Sequence, residues 1–314
     1  MNNTSCHKRA QGQGTSLWPL RGVGTRKMNN LVTKKIMPKA IGAYLNTMSY
    51  VAPGRVGEIG FNIFCSPISP PLKAHHRQWL GTARQFGFES DGARLQGYRW
   101  GSGKKKVFFL HGWQSHSYRW KKYVEAFSGE DYSLYAFDAP AHGLSKGRYA
   151  NIPLYSNAIE AFFGQVGQAD VVVSHSMGSI SMLHALYNCP HLEVGRLVLM
   201  GSPGEANDFI EFYQKLTGLS DRTFKFIIDY FVKTLHHDPA YYSAPVFAAG
   251  AKIPGLIIHD EGDEEAPYRH AVRIHQAWPQ SKLVTTRGYG HNLRVPEVVD
   301  MVKEFVMKGE LQNA

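Results

Sequence analysis

Ser176, an acidic cluster at 260–265 and His291 supply the group types that nucleophilic acyl transfer requires. A hydroxyl must attack, an imidazole must take its proton, and a carboxylate must hold the imidazole. Ser176 stands out among the serines by its setting. Val171-Val172-Val173 before it is β-branched and apolar, the pattern of a buried parallel strand. After it, apolar residues at 177, 180, 183, 186 and 187 mark one face of a helix. Only a sharp turn fits between the two, and Ser176 is its apex. This is a nucleophile elbow, usually written G-x-S-x-G, here Ser174-His175-Ser176-Met177-Gly178. The turn brings the residues two before and two after the nucleophile together, so both must be small. Ser174 and Gly178 are.

The other two groups come from later strand ends. Ile257-Ile258-His259 runs into Asp260-Glu261-Gly262-Asp263-Glu264-Glu265-Ala266-Pro267, which offers five acids. His291 follows Gly288-Tyr289-Gly290, just past the last strand pattern. With 15 histidines in the chain, one alone means little. His291 gains weight from the order Ser, acid, His, each at the end of a strand. Glu205 and Asp208, one strand earlier, are the competing acids.

Elements able to position these groups emerge from Gly92 onward. The pattern predicts strands near 93–100, 106–111, 132–138, 170–174, 195–201, 254–260 and 281–287. Helices are predicted near 119–127, 154–166, 177–188, 268–277 and 294–307. Such alternation means an α/β fold built on a mostly parallel, doubly wound sheet. Residues 204–251 break the rhythm. They carry an aromatic-rich helical pattern at 205–217 and 221–235, read as a lid inserted over the sheet's carboxyl edge. The expected organisation is a disordered basic leader at 1–27, a helical extension at 28–90, a core at 91–203 and 252–314, and the lid between. Met28 is expected to be the more natural start. In the extension, Ile41, Tyr44, Leu45 and Met48 share a helical face, read as packing on the side of the domain, with a membrane-surface helix after the basic stretch as the alternative. A short helix is expected from Pro71 to Arg84, with Trp79 and Leu80 inward.

Charge narrows the partners. The 314 residues hold 35 Lys and Arg against 25 Asp and Glu, a net +10. Nine of the basic residues precede Glu58, the first acid, which leaves 26 basic against 25 acidic residues in the body. A near-neutral body does not fit a nucleic-acid partner. Cys6, Cys65 and Cys189 are far apart, and imply neither disulfides nor a zinc site. The leader has no apolar run long enough for a secretory signal or a membrane span, so a cytoplasmic protein is expected.

Four segments together resemble the α/β-hydrolase fold superfamily, over about residues 90–308. Phe108-Phe109-Leu110-His111-Gly112-Trp113 is similar to its strand and His-Gly loop. Asp138-Ala139-Pro140-Ala141-His142-Gly143-Leu144-Ser145 resembles its D-x-P-G-H-G-x-S, with Ala141 in place of Gly. His259 to Pro267 resembles H-G-x-x-D-x-x-V-P, with Asp260 in place of Gly; Gly290-His291 matches its G-H. The resemblance implies that Asp263 is the acid that orients His291, and that the Trp113 and Met177 amides form the oxyanion hole. It implies His111, His142 and His175 as structural or loop-orienting. Asp138 ends the wrong strand to be a dehalogenase-like nucleophile.

The function expected is that of an esterase- or lipase-like serine hydrolase, cleaving a carboxylic ester or thioester through an acyl-enzyme, with no cofactor or metal. The lid's aromatics favour a small-molecule substrate with an apolar acyl or aryl group. An amidase or carbon–carbon hydrolase using the same groups is the alternative, as is a non-catalytic ligand-binding protein of the same fold.

Overall fold

The computed structural model describes residues 36–310 except 128 and 130. The 1–27 leader and Cys6 lie outside the described residues. Two helices open the described chain, α1 (Met37–Val51) and α2 (Pro53–Phe64). A short third helix follows, α3 (Ala74–Leu80). An eight-stranded sheet then runs β1 (Arg84–Ser90), β2 (Ala93–Trp100), β3 (Lys105–Leu110), β4 (Tyr132–Phe137), β5 (Ala169–His175), β6 (Val194–Met200), β7 (Gly255–Asp260) and β8 (Ser281–Thr286). Its order is β1-β2-β4-β3-β5-β6-β7-β8. All neighbours from β4 to β8 pair parallel, while β1, β2 and β4 pair antiparallel.

Both faces of the sheet are buried, which is why its strands read as continuous apolar runs. Alternate residues divide between two cores. Phe108, Val172, Leu197 and Ile257 face a core shared with α5 (Ile152–Val166), α6 (Met177–Asn188) and α10 (Arg269–Ala277). Val107, Phe109, Val171, Val198 and Leu256 face the other, closed by α4 (Lys121–Ala126) and α11 (Pro296–Lys308). Truncating a side chain such as Phe109, which is fully buried, would cost about 3–5 kcal/mol.

Two expectations need correction. The helix predicted from Pro71 to Arg84 ends at Leu80, and residues 84–90 belong to the sheet as edge strand β1 rather than to a helical extension. β1 and β2 form a hairpin through Asp91-Gly92, both at positive φ (47° and 71°). Asp-Gly is the dipeptide that such a two-residue turn demands, so the signal was present in the sequence.

The second concerns α1 and α2. The segment between β6 and β7 holds α7 (Ala206–Thr217), α8 (Asp221–Leu235) and the short α9 (Ala244–Ala248), the first two within a residue of the expected bounds. The N-terminal helices pack on this insertion instead of on the side of the sheet domain. The Phe61 ring lies 5.6 Å from those of Tyr230 and Phe231, and the Phe64 ring 5.3 Å from Tyr213. Asn46 Nδ2 donates to the Gly218 carbonyl, and its Oδ1 accepts from the Ser220 amide. α1, α2, α7 and α8 thus pack into one helical cluster. Among the described residues no helix is long and apolar enough to cross a membrane.

Candidate active site

Ser176 sits between β5 and α6 at φ 52°, ψ −124°. This is a left-handed φ that a non-glycine residue adopts only when its surroundings impose it, at a cost of roughly 1–3 kcal/mol. Its surroundings are tight on both sides. A Cβ on Gly178 would lie 2.7 Å from the His111 carbonyl oxygen and 2.8 Å from that of Leu110. A Cβ on Gly112 would lie 2.8 Å from Ser176 Cβ. The elbow therefore packs directly on the end of β3, and the Gly112-Trp113 backbone borders the serine. Ser174, where the usual motif has glycine, is fully buried, and its hydroxyl donates to the Val198 carbonyl at 2.9 Å.

His291 faces Ser176 from the loop after β8. Its Nε2 is 3.0 Å from Ser176 Oγ, and its Nδ1 is 2.8 Å from Asp263 Oδ2. Asp263, with its side chain fully buried, is held by the loop it belongs to: Oδ1 accepts the backbone N–H groups of Glu265 and Ala266, both at 2.9 Å. Burial pushes the Asp263 carboxyl up. Hydrogen bonds from His259, His291 and the Ala266 amide outweigh it and hold the group well below the usual carboxylate range. Asp263 is thus ionised at neutral pH and fixes a proton on Nδ1, leaving Nε2 as the acceptor that faces Ser176.

The other acids of the cluster do different work. Asp260 replaces the family's glycine, and its carboxylate accepts from Thr286 Oγ1, the Tyr289 amide and the Gly262 amide. It ties the acid loop to the loop carrying His291. Glu261 pairs with Arg287 at the surface. Glu264 is exposed. Glu265 is exposed too, with Oε2 3.7 Å from His291 Nε2, farther than the serine. The competing acids are engaged elsewhere: Glu205 with Arg273 and Ser243, Asp208 with His270 and Arg269.

Three buried histidines tie the neighbouring loops, His111 and His142 through both ring nitrogens and His175 through one. His111 Nδ1–H donates to the Gly112 carbonyl, and its Nε2 accepts the Ala139 amide. His142 Nδ1–H donates to the Pro140 carbonyl, and its Nε2 accepts the Gln114 amide. His175 Nε2–H donates to the His291 carbonyl at 2.8 Å. Burial lowers all three pKa values, and Arg119 adds to the effect at His175. Asp138, fully buried, accepts from Tyr98, the Ser117 amide and hydroxyl, and the Leu144 amide. It braces the loops beside the elbow.

Sequence reasoning missed Arg119. Its Nη2 donates to the Asn292 carbonyl at 2.7 Å, next to His291, and burial lowers its pKa to about 9. No local pattern could have flagged it, because its partner is 173 residues away. Among the described residues no group of three or more His, Cys, Asp or Glu side chains could hold a metal ion.

Known proteins share this architecture. A family described as serine aminopeptidase, S33, matches residues 101–241, and one described as TAP-like protein matches 236–314. A proline iminopeptidase of Xylella fastidiosa is 40% identical over 50 residues, which is 16% of this chain and 16% of that protein. The chain thus matches only a small part of that relative's length. An esterase from Exiguobacterium antarcticum superposes with TM-score 0.57 at 17% identity, over 72% of this chain and 100% of the esterase. An esterase from Pyrococcus furiosus gives TM-score 0.57 at 19% identity, over 77% and 96%. At those identities the two esterases speak for the fold alone. Taken with the strand order, the elbow and the family matches along residues 101–314, they lead to one assignment: the chain belongs to the α/β-hydrolase superfamily.

Proposed function

We propose that the chain is a serine hydrolase that cleaves a carboxylic ester or thioester. The observation that carries this reading is the unbroken relay from Asp263 Oδ2 through His291 to Ser176 Oγ, at 2.8 and 3.0 Å. In this mechanism Ser176 Oγ attacks the carbonyl carbon as its proton passes to His291 Nε2. The tetrahedral intermediate collapses, His291 returns the proton to the leaving alcohol or thiol, and an acyl-serine remains. Water, deprotonated by the same imidazole, then releases the acid. The Trp113 and Met177 amides hold the oxyanion, the second aided by the N-terminal dipole of α6. Each such donor is worth about 3 kcal/mol of barrier. The α7–α8 segment, which leaves the carboxyl end of β6 and returns to β7, serves as the lid. Its aromatic content favours an apolar acyl or aryl group.

A peptide bond is the second reading, favoured by the match to the serine aminopeptidase description over residues 101–241. A fluorophosphonate probe with peptide mapping, followed by turnover of p-nitrophenyl esters, a thioester and a prolyl amide, tests both. The expected result is a label on Ser176, absent in Ser176→Ala, with esters or the thioester hydrolysed faster than the amide. Labelling that survives in Ser176→Ala would sink the mechanism. Faster amide cleavage would select the second reading.

A further inference from the structure

α1 carries an exposed, largely apolar stripe on the side away from its buried face. Its inner face, with Gly42, Leu45 and Ser49 buried, packs on the rest of that helical cluster. Gly42 sits so close to α7 that a Cβ there would lie 2.0 Å from the Thr217 carbonyl oxygen. Its outer face carries Met37, Ala40, Tyr44, Thr47 and Val51, all exposed and spaced by three and four residues, so they form one stripe. Tyr44 is 52% exposed and Val51 75%. Lys39 is the only charged residue within the helix. An exposed, largely apolar stripe of this kind marks an interaction site.

Charge selects the occupant. The 35 residues before the described chain carry seven Lys and Arg and not one Asp or Glu, and they lead directly into this helix. Arg222 stands beside the outer face, its guanidinium 4.9 Å from the Tyr50 ring. A second copy of the chain docked on the stripe would bring two acid-free basic segments together, and they would repel. An anionic lipid surface would attract them. We infer that the outer face of α1 docks on an anionic membrane surface, the basic N-terminal segment supplying the electrostatic part. The helix lies in the interface plane and does not cross it. This attachment does not depend on the hydrolase reading, and its test reads binding alone.

The experiment is co-sedimentation of the full chain with phosphatidylcholine vesicles, with and without phosphatidylserine, at low and high salt. The wild-type chain should bind the phosphatidylserine vesicles and be released by salt. A Tyr44→Asp and Val51→Asp double variant, both positions exposed, should bind roughly tenfold more weakly. A Lys34→Glu and Lys35→Glu double variant should lose the preference for phosphatidylserine. Circular dichroism shows that each variant is folded. Three results overturn the proposal: no binding to anionic vesicles, binding indifferent to the α1 substitutions, or a concentration-dependent dimer abolished by them in the absence of lipid. The last would make a second copy the occupant of the face.

Discussion

Asp263→Asn tests the relay at its least redundant point. Asp263 offers two oxygens in two settings. Oδ1 accepts the Glu265 and Ala266 amides, and Oδ2 accepts His291 Nδ1–H. An asparagine must keep its single oxygen at the first site, because turning its NH2 toward two backbone N–H donors would leave both unsatisfied, at about 1–3 kcal/mol each. The NH2 therefore points at His291 Nδ1 and donates to it. The imidazole proton then moves to Nε2, where it faces Ser176 Oγ and cannot accept. A tautomer reversal of this kind lowers turnover by about four orders of magnitude, or about 5.4 kcal/mol of barrier. The fold should persist, since the amide keeps both backbone bonds. The assay is kcat/KM on a p-nitrophenyl ester, with near-UV circular dichroism as the folding check. Asp260→Asn, Glu261→Gln, Glu264→Gln and Glu265→Gln should stay within roughly tenfold, as should Glu205→Gln and Asp208→Asn. Near-normal turnover in Asp263→Asn, with a large loss in either of the last two, would refute the assignment of the acid.

Three further outcomes are expected. Gly112→Ala, whose Cβ would lie 2.8 Å from Ser176 Cβ, should displace the serine or the neighbouring amide and cut kcat/KM at least ~100-fold; a fully active variant would show that the loop relaxes freely. Ala141→Gly should raise stability by about 0.5–1 kcal/mol in urea unfolding, because Ala141 sits at φ 62°, where glycine carries no steric penalty; an unchanged midpoint would refute the strain. Stability should fall with acidity below about pH 6.5, since burial lowers the pKa of His111, His142, His175 and His184, the last to about 4. Below pH 6.5 the unfolded chain binds protons that the fold refuses, so each such histidine removes up to about 1.4 kcal/mol per pH unit. Urea midpoints that stay level from pH 7.5 to 5 would mean that these imidazoles accept protons without unfolding.

The parts legible in the sequence are those whose cause is local. Val171 to Leu183 declares a strand, a turn and a helix because side-chain period changes at Ser176, and α6 begins at Met177 as that pattern requires. The acid and His291 could be located because each follows directly on a strand, and parallel strands of one sheet end at one edge. The Asp-Gly turn between β1 and β2 was equally local and still passed over, since the apolar pattern around Trp79 and Leu80 drew the helix too far.

Tertiary structure alone decided the rest. Which of five acids meets His291 depends on the course of a loop: the same carboxylate chemistry at Asp260 is spent on Thr286 and Tyr289, while Asp263 turns inward. That His175 and Arg119 hold the backbone at 291 and 292 depends on contacts 116 and 173 residues apart. The pairing of α1 and α2 with α7 and α8 has the same origin. An amphipathic helix announces that it has an apolar face, and says nothing of the partner that face will meet, because burial is non-directional and any apolar surface of fitting shape satisfies it.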